Sequence, residues 1–176
     1  AGCGLRHKLV GSMCGIYLDH QSGCPVDPRV EEFARRYSCI DFGNPSALHS
    51  RGLAAKAALE EARGKVAELI GAERPESIIF TGGATQANNL AIRGAALRNS
   101  AKGKKLLASQ IEHISVLNPH KDLKKGGFEL NLIPVDSSGQ IDLSSMERLA
   151  DKDTLLTSIM YATGEIGTVQ PITEAS

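Results

Sequence analysis

Apolar positions along the chain fall into blocks whose spacing switches between the helical and the strand period. Leu59, Ala62, Val66, Leu69 and Ile70 recur every three or four residues, which predicts a long helix over about Ala47–Ile70. Ser46 is a candidate N-cap for it, and Gly71 stands where a C-terminal glycine belongs. A shorter helical run, Arg29–Tyr37, precedes it among loops marked by Pro25, Pro28, Gly43 and Pro45. Ser77–Thr81 (SIIFT) is β-branched and aromatic, hence a predicted strand, and Gly82-Gly83 separates it from a helix over Ala84–Arg98. The same cycle follows with a strand at Lys105–Ser109 and a helix at His113–Lys125 ended by Gly126-Gly127. Phe128–Val135 alternates with the period of a half-exposed strand. Ser144 and Glu147 have the spacing of a capping box for a helix through Ala150. Thr154–Ala162 (TLLTSIMYA) is apolar enough for a strand buried on both faces. Strands and helices alternate with no tight hairpin, so the expected fold class is α/β, a mainly parallel sheet flanked by helices.

Composition narrows the picture. The chain has 176 residues, and 20 Lys+Arg balance 20 Asp+Glu, so bulk charge draws it neither to nucleic acid nor to an anionic membrane. Aromatics are 4% and Trp is absent, which argues against a stacking platform for single-stranded nucleic acid. No apolar run approaches the roughly 20 residues of a membrane-spanning helix. Cys3, Cys14, Cys24 and Cys39 form no C-x-x-C and no zinc-finger spacing with histidine, and a reducing, cytoplasmic compartment is the expectation. Residues 1–13, which end in Gly11-Ser12-Met13, read as a cloning remnant or a frayed terminus. The expected organisation is this stretch, an N-terminal segment over 14–46, and a larger domain over 47–176.

Candidate chemistry collects at the carboxyl ends of the expected strands, where open α/β sheets bind ligands. Thr81-Gly82-Gly83-Ala84-Thr85 leads straight into a helix. Glycines permit close approach, and the helix N-terminus offers N–H groups to an anion. The segment is neither a Walker A motif nor G-x-G-x-x-G, and an ordinary strand-to-helix turn is the alternative. Ile111-Glu112-His113 follows the next strand, and an imidazole there can stack on a flat ligand, move protons, or simply serve the structure. Tyr161–Gly167 follows the last strand with Glu165 as its carboxylate. Together these point to a small phosphorylated ligand with a planar ring near His113. No G-x-S-x-G elbow or H-E-x-x-H is present.

Several of these residues carry a resemblance. Tyr17-Leu18-Asp19, Pro25–Arg29, Phe42–Ser46 with His49-Ser50, Ile79–Thr85 with Asn88–Ile92, Glu112-His113, Ser158–Met160 and Glu165–Gly167 stand in the order found in cysteine desulfurases. These are pyridoxal 5'-phosphate (PLP) enzymes of aminotransferase class V, fold type I, and the resemblance runs over about Ile16–Thr173. It implies part of a PLP-binding large domain. Ala84 and Thr85 would bind the cofactor phosphate. His113 would stack on the pyridine ring and act in catalysis. The loop holding Thr163 and Gly164 would touch the ring oxygen. Relatives carry paired asparagines where this chain has Thr163 and Gly164, and His20-Gln21-Ser22-Gly23-Cys24 departs from the family's early loop. The resemblance implies sulfur removal from L-cysteine, leaving alanine and a persulfide for iron–sulfur cluster assembly or thiolation, in a homodimer that meets a sulfur acceptor or scaffold protein. The Schiff-base lysine and the acceptor cysteine lie beyond the Glu-Ile-Gly motif in the family. The chain is therefore expected to be an incomplete N-terminal part, inactive alone. A selenocysteine lyase, a tRNA-dependent cysteine-forming enzyme and a non-catalytic binding module are the alternatives.

Overall fold

A computed structural model describes residues 16–20 and 22–176. The chain packs as two units, one reaching to Ser77 and one from Ile78 to Ser176. Residues 1–13, with Cys3, and Cys14 beside them, lie outside the described residues, as does Gln21.

The first unit is helical. Helix α1 (Pro28–Cys39) starts where Asp27 accepts a hydrogen bond from the Arg29 N–H and Pro28 fills the first turn. Helix α2 (Ser50–Ile70) starts later than its apolar period implies. Ser46 does not cap it: His49 does, its Nδ1 accepting from the Gly52 N–H at 3.3 Å. Gly52 must lack a side chain, because a Cβ there would sit 2.1 Å from the Ala47 carbonyl oxygen. Gly71 ends the helix at φ 67°, the left-handed conformation glycine adopts at low cost. A 3₁₀ turn, Pro75–Ser77, closes the unit.

The second unit is α/β. Its elements run α3 (Ala84–Arg98), β1 (Lys105–Ser109), α4 (Ile114–Lys125), β2 (Glu129–Ile133), α5 (Leu143–Leu149), β3 (Thr154–Ser158) and α6 (Ile172–Ala175). The sheet order is β2-β1-β3 and both pairings are parallel, as the alternation of elements predicts. The central strand β1 is buried, and its pleat sends successive side chains to opposite faces. Leu106 joins Ile92 and Ala96 of α3, Leu123 of α4 and Phe128 in one core cluster. Leu107 joins Ile133 and Ile141 in a second, with Leu143, Met146 and Leu149 of α5 and Ala175 of α6 packed on it. The sheet thus lies between α3–α4 on one side and α5–α6 on the other. Each fully buried leucine contributes about 1.5–3 kcal/mol.

Four further expectations are corrected. Ser77–Thr81 forms no strand of the three-stranded sheet. Ser77 belongs to the 3₁₀ turn, and Ile79 keeps 66% of its surface exposed, so a β-rich composition found no ladder to join. The last strand stops at Ser158 and is only half-buried, because it lies at one side of β1 rather than between two strands. The β2 strand is likewise confined to Glu129–Ile133. Helix α5 is capped by Asp142, whose carboxylate accepts from the Ser145 N–H at 3.1 Å, and not by Ser144.

Candidate functional site

The site is built where β1, β3 and the start of α3 and α4 meet. Helix α3 opens at Gly83 with no side-chain cap, and Ala84 and Thr85 are exposed in its first turn. A Cβ added at Gly83 would meet nothing within 4 Å, so the approach to this helix end is open. Gln86 reaches back to accept from the Gly82 N–H at 2.7 Å, and the Thr81 hydroxyl donates to the Gly83 carbonyl at 3.2 Å. These bonds hold the turn while the first-turn N–H groups stay without a side-chain acceptor. An uncapped N-terminus of a 15-residue helix suits an anion.

His113 stands at the N-cap of α4. Its Nδ1 accepts from the Ser115 N–H at 3.1 Å and lies 2.7 Å from the Ser115 hydroxyl. That hydroxyl receives a hydrogen bond from Asn88 Nδ2 at 2.9 Å, which ties α4 to α3 one turn below Ala84. The imidazole remains exposed, with its ring free to meet a ligand. A cleft of about 590 Å³ opens beside it, lined by Asn88, Ile92, Glu112, Val116, Ser158 and Met160 among others. The second turn of α3, the histidine and the chain leaving β3 therefore share one cleft, which Ala84 and Thr85 at the helix end do not line.

Glu112 is a site residue that reading the sequence left without a role. It is 7% exposed, and its Oε1 accepts from the Ser109 hydroxyl at 2.9 Å and from the Met160 N–H at 2.5 Å. A single carboxylate oxygen so joins the end of β1 to the chain leaving β3. Ser109 stands three residues before Glu112, a spacing visible in the sequence, whereas Met160 is 48 residues away and reachable only through the fold. Behind this wall His120 is fully buried, its Nδ1 donating to the Val116 carbonyl and its Nε2 accepting from Ser158 at 3.3 Å.

Thr163 and Gly164 are placed differently. Thr163 is buried, and its hydroxyl donates to the Thr168 carbonyl at 3.1 Å within its own loop, where Ala162 and Val169 form a β-bridge. Neither residue lines the cleft beside His113. Cys24 and Cys39 are exposed free thiols of the first unit.

Comparison with known proteins agrees with this architecture. Residues 16–176 match the family model for aminotransferase class V. The chain is 51% identical over 160 residues to a protein of Archaeoglobus fulgidus named cysteine desulfurase IscS 1, covering 91% of this chain and 42% of that protein. Among solved structures, a NifS-like protein superposes with a TM-score of 0.86 at 36% identity, over 91% of this chain and 44% of the other. A structure described as SspA in complex with cysteine superposes with a TM-score of 0.83, also at 36% identity, over 90% and 46%. The chain thus spans about two-fifths of the length of the curated relatives it matches. On the family match across its described length, the chain belongs to aminotransferase class V.

Proposed function

We infer that the intact protein in which this chain occurs is a PLP-dependent cysteine desulfurase, and that this chain supplies the phosphate-binding and ring-stacking side of its cofactor site. One observation carries the reading: the Asn88–Ser115 bond ties the first turn of α4, which His113 caps, to α3 one turn below its uncapped start, and these two helix ends suit an aromatic ring and a phosphate. The relatives' names, and the cysteine bound in one of the similar structures, support cysteine as the substrate.

When bound, PLP supplies an electron sink for chemistry at the amino-acid α-carbon. The N–H groups of Ala84 and Thr85, with the Thr85 hydroxyl, would take its phosphate at the positive end of the α3 dipole. The His113 imidazole would cover one face of the pyridine ring, with Nε2 as the nitrogen able to exchange a proton. Glu112 would keep the floor of the site in register with β3. Thr163 would reach a ring oxygen only by giving up its bond to Thr168, and Gly164 offers no side chain. Sulfur would leave cysteine for an acceptor thiol as a persulfide, with alanine as the other product. Cys24 and Cys39 do not match the family's acceptor position. A homodimer, a sulfur-acceptor or scaffold partner, iron–sulfur cluster assembly and a cytoplasmic location belong to the same reading.

The test uses the intact protein. A visible absorbance band that survives dialysis, with alanine formed from L-cysteine and sulfide released when an added thiol reductant reduces the persulfide, is the expected result. Thr85→Ala is expected to weaken cofactor retention about tenfold, the loss of a charge-assisted hydrogen bond. No visible band and no sulfide would overturn the reading. The departure at Thr163-Gly164 favours a second class V reaction on a related amino acid, and faster turnover of selenocysteine than of cysteine would select it.

A further inference from the structure

We propose that Asn88 and Ser115 are positioning residues that set the tautomer and the ring orientation of His113. The inference rests on the cofactor-stacking role given to His113 above. A backbone N–H can only donate, so the Ser115 N–H at 3.1 Å makes Nδ1 an acceptor. The neutral ring then carries its hydrogen on Nε2. The Ser115 hydroxyl acts in the same direction. It already accepts from Asn88 Nδ2 at 2.9 Å, which turns its own hydrogen toward Nδ1 at 2.7 Å. The opposite Asn88 amide orientation would draw that hydrogen away and set two lone pairs against each other. All donors therefore run one way, from α3 through Ser115 to His113. Ser115 is buried and Asn88 half-buried, so water competes weakly for these bonds. The relay pins one ring nitrogen and leaves Nε2 for proton exchange at the mouth of the cleft, which is how a second residue commonly decides which imidazole nitrogen works.

The experiment reads the ring directly, in the intact protein stripped of PLP and labelled with ¹⁵N-histidine. Spectra are taken at about pH 9, above the ordinary histidine pKa of ~6.5. In the unaltered protein Nδ1 of His113 is expected to be pyridine-like and Nε2 to carry the hydrogen. Ser115→Ala keeps the backbone N–H and is expected to raise the Nδ1–H population about fivefold, the effect of one ordinary hydrogen bond. Asn88→Asp reverses the relay, because its carboxylate takes the Ser115 hydrogen, and is expected to raise that population at least as much. Ser115→Thr restores the hydroxyl and is expected to restore the spectrum. A purely structural cap would lower stability without moving these shifts. Protonated Nδ1 in the unaltered protein, or shifts indifferent to both variants while circular dichroism shows them folded, would overturn the relay. Failure to bind PLP would instead overturn the proposed function and leave the tautomer result standing.

Discussion

Glu112 shows how much one buried oxygen can hold. Its Oε1 is the acceptor for both the Ser109 hydroxyl and the Met160 N–H, and Ser109 is fully buried. Glu112→Ala would leave two donors without this acceptor in a place water reaches poorly, at a cost of about 1–3 kcal/mol. Glu112→Gln keeps a carbonyl oxygen that can accept both bonds, so the expected loss is within about 1 kcal/mol. Urea unfolding of the intact protein compares the two, and equal midpoints would show that the acceptor role carries no weight. At this scale the placement of His113 was legible, since a histidine after a strand and before a helix lands at the carboxyl-end edge of the sheet. Its partners were legible only in part. Ser115 is two residues away and Asn88 27 residues before Ser115, so the first bond is local and the second needs α3 packed on α4.

The elements were legible wherever their own residues set their limits. Helix α3 and strand β1 have the bounds that apolar spacing and glycine breaks imply. Competition between neighbouring caps was harder to read. Asp142 and Ser144 are both good N-cap residues, and the structure uses Asp142, which accepts from the Ser145 N–H and also from the Ser145 hydroxyl at 2.6 Å. Asp142→Ala is therefore expected to cost about 0.5–2 kcal/mol, and Ser144→Ala less than about 0.5 kcal/mol. Denaturation midpoints of the two variants decide between the caps, and the reverse order would restore the Ser144 capping box. The segment at Ile78–Thr81 marks a different limit. Its β-branched and aromatic residues record a preference for a pleated, half-buried surface, and a preference becomes a strand only where a ladder accepts it.

Across the whole second unit, hydrophobic layering and charge play separate parts. The two clusters around Leu106 and Leu107 assemble the layers, and their alternation was visible as a run of apolar residues short enough to be a strand. The surface aspartates act at its joints. Asp122 lies below its ordinary 3.8 through Lys125 and then Arg93, and the Arg93 bond fastens α3 to α4. Asp151 is lowered chiefly by Lys105, which pins the turn before β3 to the start of β1. Asp136 is lowered by the Ser138 hydroxyl and the Gln140 N–H, and Asp142 by Ser145. Each carboxyl thus binds its proton more weakly when folded than when unfolded. Between the folded values and 3.8 the unfolded chain holds more protons, so stability rises with pH there. The contribution is complete above the ordinary value and is lost as pH falls through the folded values. Urea midpoints are accordingly expected to be flat from about pH 7 to pH 5 and to fall below about pH 4. Salt at about 0.5 M should blunt the part due to Asp122, whose ion pairs are exposed, and to a lesser extent that due to Asp151, whose partner Lys105 is half-buried. It should spare the part due to Asp136 and Asp142, whose main donors are neutral hydroxyl and amide groups. Asp136→Asn combined with Asp142→Asn should then remove most of the salt-resistant acid slope, and a slope unchanged in that double variant would place the acid sensitivity elsewhere in the fold.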